Sequence, residues 1–410
     1  MVPQMVFVHG GGNVAGAGSR YDLWNVADRG FVAVSINYRL GALGFLALSA
    51  LSDEGEGGAS GNYGLRDILL SLEWVQSNIA SFGGDPARVV LVGHGSGATN
   101  VLGLAISPLS KSQMDPACVH ARVCAKLFSG IVLLSAGPRI DTPRKQAEAE
   151  NEVFALTAGC TQPTAAEQVQ CLRGLDVKVV QRFFPSYKWD PSENPERNQN
   201  DLPVKGARSL GLVIVDGAVI AQDSWTAVQK SGKVSMLADV PVMAMLMSEE
   251  SDAKPPHKIA SWDQFRKVVS ERLDSFGTFW DPSVPNDPAK SFTQQAFKLY
   301  HTALYKDPQL AYEAMTTDMR LTCSTKKLLN MMSSATTQNI YMGINHLRLE
   351  EPVAVVSLSS DGVRSASVGG LEGIFWGGGA LVLAGLSSTV GPCQRESSVR
   401  DRGVCGLDPC

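Results

Sequence analysis

Along the first 135 residues, short apolar runs alternate with stretches of helical period. Met5 to Val8, Phe31 to Asn37, Val89 to Val92 and Gly130 to Leu134 have the length and branched, apolar character of buried strands. Between the second and third, Tyr63 to Ile79 sets Leu65, Ile68, Leu69, Leu72 and Val75 on one helical face, so an amphipathic helix is expected to return the chain to the strand at Val89. Ser81 to Pro86 then supplies turn residues. Strands joined by helices in this way predict an α/β fold on a mainly parallel sheet. Further on, Thr142 to Val180 is helical and carries Cys160 and Cys171, and residues 186–202 read as a polar excursion. Val240 to Leu246 reads as a strand, with helices expected at Trp262 to Leu273 and Ser291 to Tyr305. Residues 351–410 change texture and give no regular pattern, dividing the chain into an α/β unit over 1–350 and a divergent segment after it.

Composition narrows the picture modestly. With 410 residues, 44% hydrophobic and 19% charged, the chain is globular, and a net charge of -4 without a basic block excludes a nucleic-acid footprint or a polybasic membrane patch. A protein or small-molecule partner is expected instead. None of the eight cysteines forms a CxxC pair, so no zinc site is expected. The close spacings 118/124 and 160/171 suit local disulfides, which persist in oxidising compartments, and an extracellular or secretory location follows. The start, MVPQMVFVHGGG, has no secretory pattern, and the chain opens directly on a strand. The apolar stretch Gly373 to Leu386 is shorter than the roughly 20 residues that span a bilayer, so a glycine-rich core or irregular segment is preferred to a membrane anchor.

The candidate chemistry lies at Gly93-His94-Gly95-Ser96-Gly97, after the run ending at Val92. A strand-to-helix elbow of the G-x-S-x-G kind needs small residues beside its tip, because neighbouring Cβ atoms collide there, and its tip residue is strained at positive φ. Gly93 and Gly97 are then the flanking pair and the tip is Gly95, which has no side chain with which to attack a carbonyl. Ser96, one residue late, opens the helix; its hydroxyl is either a shifted nucleophile or a helix-start group satisfying backbone donors.

The stretches FVHGGG (7–12), INYRLGALGFL (36–46), GNYGLRD (61–67), EWVQSNIASFGGDPARV (73–89) and GHGSGA (93–98) resemble, in order and spacing, the type-B carboxylesterase and cholinesterase family. The resemblance continues more weakly through LLSAG, IVDG, VPVMAMLMSEES and TDMRLTCSTKKL, and it implies an α/β-hydrolase fold on a chain short of the family at both ends. It further implies that Gly11, Gly12 and the Ser96 N–H stand at the oxyanion-hole positions, that Gly95 stands at the nucleophile position, and that Glu249 stands at the acid position. Val368 falls where the family has its histidine, and His257, His301 and His346 are the other histidines after the acid. The spacing of Cys160 and Cys171 matches the family's small disulfide loop. Cys323 is expected to pair near the C-terminus, with Cys393, Cys405 or Cys410 as its partner, and Cys118 with Cys124. GHGSGA resembles the branch that keeps the fold and lacks the triad serine, the neuroligin, gliotactin and neurotactin adhesion proteins. That branch implies a catalytically inactive domain acting through protein contacts, with no cofactor or metal; the alternative is a carboxylic-ester hydrolase using Ser96 on a small ester substrate.

Overall fold

The computed structural model describes residues 1–110, 126–138, 140–183, 212–229, 237, 239–248, 250, 258–273, 292–345, 375–377 and 380–382. Six strands form one sheet: β1 (Val2–Val8), β2 (Val32–Ser35), β3 (Gly84–His94), β4 (Gly130–Leu134), β5 (Val242–Met247) and β6 (Ile340–Asn345). Their order is β2-β1-β3-β4-β5-β6, and every pairing is parallel. Among the described residues, the helices of eight or more residues are α1 (Tyr63–Asn78), α2 (Ser96–Ile106), α3 (Arg144–Thr157), α4 (Ala165–Gly174), α5 (Trp262–Leu273), α6 (Phe292–Leu299), α7 (Pro308–Thr317) and α8 (Cys323–Ala335). Beyond residue 346 the described residues form only a small antiparallel pair, β7 (Phe375–Gly377) with β8 (Ala380–Val382). No helix among the described residues is long and apolar enough to cross a membrane.

The strands are apolar on both sides because both faces are covered. Val6, Val8, Val89, Leu91, Ile131, Leu133, Val242 and Ala244 belong to the main core, which also takes Leu65, Ile68, Leu69, Leu72 and Val75 of α1 and most of α2. Met5, Phe7, Val92 and Leu134 point to the opposite face, beside Tyr21, Leu23 and Val26. Full burial of each such side chain contributes about 1.5–3 kcal/mol. Residues 262–273 form the helix their periodicity predicts, whereas the next one ends at Leu299, short of the expected Tyr305. There the chain turns: the His301 carbonyl accepts from the N–H groups of Leu304 and Tyr305, and its ring Nδ1 accepts from Ala303 N–H. His301 therefore lies in a turn and not on a helix. β3 also starts earlier than the apolar run suggests, because Val2 pairs with Gly84 and draws the GDPAR segment into the sheet through a register shift.

Candidate functional site

Strand order reverses between β1 and β3: β1 leads outward to β2, and β3 returns to the other side of β1. In open parallel sheets the crevice beyond the strand ends at such a point is where ligands bind. The loop after β1, His9 to Gly12, and the elbow after β3 leave the sheet side by side there, with Val8 paired to Gly93.

The elbow has the geometry its glycines predict. Gly95 sits at φ 54, ψ -122, its N–H donates to the Leu134 carbonyl at 2.8 Å, and α2 begins at Ser96. A Cβ at Gly93 would lie 2.4 Å from the Gly97 carbonyl oxygen, and one at Gly97 would lie 2.3 Å from the Val8 carbonyl oxygen, so both positions are closed to any side chain. Gly95 differs. The nearest atom to a Cβ built there is the Gly10 Cα at 4.0 Å. The flanking glycines are required by packing, while the tip stands in space open to a Cβ, with only the positive φ against a side chain.

Facing the elbow, the β1 loop turns through Gly11 at φ 122 and Gly12 at φ 65, with Val14 and Ala15 N–H both bonded to the Gly11 carbonyl. Asn13, left-handed at φ 62, follows. Its N–H donates to the Ser96 Oγ at 3.0 Å, and its side-chain amide exchanges two hydrogen bonds with that of Asn100 on α2, at 3.0 and 2.9 Å. The Tyr38 hydroxyl joins this cluster, donating to the His9 carbonyl at 2.8 Å, 3.1 Å from the Asn13 Oδ1, and it interacts with the Ser96 side chain. Ser96 thus opens the helix as expected, but its hydroxyl serves Asn13 rather than the helix's own donors. Burial drives the Tyr38 hydroxyl far above the usual tyrosine pKa, so it stays protonated.

Two histidines brace the loop. His9, buried, places its Nδ1 2.9 Å from the Gly10 carbonyl and stacks on Tyr38 with ring centroids 4.6 Å apart. His94 packs against Gly10 so closely that a Cβ there would meet its Nδ1 at 2.9 Å. Burial lowers both pKa values, that of His94 to about 4, so both rings are neutral at pH 7.

Among the described residues, Glu250 brings a carboxyl to the strand ends beside the elbow. Its Oε1 accepts from the Met247 N–H at 2.6 Å and from the Ser135 hydroxyl at 2.7 Å, and its own N–H donates to Thr317 Oγ1 at 3.0 Å. Ser135 directly follows Leu134, whose carbonyl holds the Gly95 N–H. Burial raises the Glu250 pKa, opposed by these two donors. The sequence marks Glu250 through the SEES turn, as one of a solvated or hydrogen-bonded pair of glutamates and not as the acid, and nothing local marks Ser135, Asn13 or Asn100. Glu249, Val368, His257 and His346 lie outside the described residues, as do Cys118, Cys124, Cys393, Cys405 and Cys410. Cys160 and Cys171 form a disulfide, with Cα atoms 5.6 Å apart, closing the turn between α3 and α4. Cys323 is buried at the start of α8.

At the elbow the arrangement offers small-residue loops, a helix start and braced backbone, but no nucleophile at its tip. The comparisons with known proteins carry the same mixture. A neuroligin-like protein, glit-1, of Caenorhabditis elegans is 30% identical over 280 residues, 67% of this chain and 34% of that relative. Liver carboxylesterase 1 of Oryctolagus cuniculus is 36% identical over 201 residues, 47% of this chain and 32% of the relative. A fumonisin B1 esterase of Sphingopyxis macrogoltabida is 48% identical over 122 residues, 29% of this chain and 23% of the relative. The matched part thus spans a third or less of most of these relatives and 34% at most. The carboxylesterase family model matches residues 1–351. With its parallel sheet, its elbow after β3 and this match over most of its length, the chain belongs to the carboxylesterase family and has the α/β-hydrolase fold.

Proposed function

We propose that this protein is a catalytically inactive carboxylesterase-family domain that works by binding a protein partner at the cell surface or in the secretory path. The observation that carries this reading is Gly95: the tip of a well-formed elbow holds no nucleophile, although the space around it is open to a Cβ. Removing the nucleophile from a serine hydrolase leaves only binding and oxyanion stabilisation, a small residue of the original rate. Similarity to the neuroligin-like glit-1 over 67% of the chain supports the non-enzymatic reading, and the Cys160–Cys171 disulfide supports an oxidising compartment.

A hydrolase using Ser96 is the competing reading, and the engagement of that hydroxyl with the Asn13 N–H stands against it. A nucleophile must present its oxygen to a base and to the substrate carbonyl at the tip. The test is hydrolysis of p-nitrophenyl acetate and labelling by a fluorophosphonate, with the wild-type chain and Ser96→Ala side by side. The expected result is no turnover above the protein-free rate and no label in either. Turnover that disappears in Ser96→Ala refutes the inactive reading, and cell-aggregation or pull-down assays that find no partner at any concentration count against the adhesive role.

A further inference from the structure

We infer that Asn13 is the positioning residue of the emptied elbow: it locks the Gly10–Gly12 loop onto the start of α2, with the Ser96 hydroxyl as its anchor. Asn13 is buried, and its polar groups are engaged on two separate segments, α2 and the Tyr38–Gly41 stretch after β2. Its N–H donates to Ser96 Oγ, and its carbonyl accepts from the Gly41 N–H at 2.8 Å, which ties in the segment after β2. Its side-chain oxygen receives the Asn100 amide and approaches the Tyr38 hydroxyl, and its side-chain NH2 donates to the Asn100 Oδ1. Left-handed backbone is uncommon for any residue other than glycine, and asparagine is among the few that adopt it readily. Asparagine therefore combines the φ the turn needs with the amide that reaches α2. The lock also assigns the off-register serine a purpose that requires no chemistry. The inference rests on the non-hydrolytic reading of the site, because a hydroxyl committed to the Asn13 N–H is not presented to a substrate.

The test is backbone hydrogen exchange at Asn13, Val14 and Ala15 in the whole chain, compared with Val89–Val92 of β3 as an internal reference. Two variants are used: Ser96→Ala, which removes the anchor alone, and Asn13→Gly, which keeps the left-handed backbone and removes the amide. Each is expected to speed exchange in the loop by at least about tenfold while the β3 amides keep their wild-type rates. A residue that merely adds stability would accelerate both regions together, and that result overturns the inference. So does loop exchange unchanged in both variants. Should Asn13→Gly fail to fold, Ser96→Ala decides alone, since it leaves every Asn13 side-chain bond in place. Ester hydrolysis measured on the same samples keeps the two readings separate: turnover would sink the inactive reading, while the exchange rates alone judge the lock.

Discussion

Replacing Gly95 with alanine should destabilise the protein by about 1–2 kcal/mol, and replacing Gly97 with alanine should cost at least about 3 kcal/mol. The difference comes from what each new Cβ meets. At Gly97 it would sit 2.3 Å from the Val8 carbonyl oxygen and 2.5 Å from that of His9, so α2 would have to move off the end of β1. Neither contact has a flexible end that can swing away, and overpacking of this kind costs about 1–3 kcal/mol or more even where a core can yield. At Gly95 nothing lies closer than 4.0 Å, so only the backbone resists. Holding a non-glycine residue at φ 54, ψ -122 costs about 1–3 kcal/mol. The unfolded chain returns roughly 0.4–1 kcal/mol of that through its reduced freedom. Urea or guanidinium denaturation of the two variants, with slopes matching the wild type, reads both values directly. If Gly95→Ala proves as costly as Gly97→Ala, the tip is not open and the argument for an elbow emptied without steric need fails.

Three further outcomes are expected. The folded-state pKa of His94, about 4 against 6.5 for the free side chain, makes its contribution fully present above about pH 6.5 and lost as the pH falls toward 4. At about 1.36 kcal/mol per pKa unit this amounts to roughly 3 kcal/mol, and denaturation midpoints at pH 7.5 and 4.5 should show a drop that His94→Gln reduces. Glu250 runs the other way, since a raised carboxyl pKa favours the folded state at low pH and loses that favour as pH rises through it. Glu250→Gln keeps an acceptor for Met247 and Ser135, and should leave thermal stability at neutral pH unchanged or higher, whereas Glu250→Ala should cost about 1–3 kcal/mol by leaving those donors unmet. Cys160→Ser with Cys171→Ser should lower stability by about 2–3 kcal/mol for a loop of separation 11, and the double variant should lose that part of the shift that reductant produces in the wild type.

The sheet was legible because buried parallel strands need apolar residues on both faces, and those at β1, β3, β4 and β5 stand out against their flanks. The face of α1 was legible for a similar reason: Leu65, Ile68, Leu69, Leu72 and Val75 all pack on one side, and all are buried. β6 was harder, since Ile340–Asn345 is only partly buried along most of its length and shows no clear alternation. The five-residue π-helical turn Asp318–Thr322 between α7 and α8 leaves no mark in the hydrophobic pattern at all. Of the site, the elbow was readable because its constraint is local and falls on glycines. The Asn13–Asn100 pair was not, since 87 residues separate its members and either asparagine alone looks like an ordinary turn or helix residue. The bonds of Glu250 were not legible either, since its partner Ser135 lies at the end of β4, 115 residues away.

Gly93 and Gly97 carry a wider consequence. They are fixed by the close approach of backbone to backbone, a constraint indifferent to whether the residue between them reacts. A lineage can therefore abandon a reaction and still be held, by the sterics of the turn alone, to the signature by which that reaction is recognised. Working and silent members of such a family will go on looking alike at the very place where they differ most, and one hydroxymethyl group at the tip separates them.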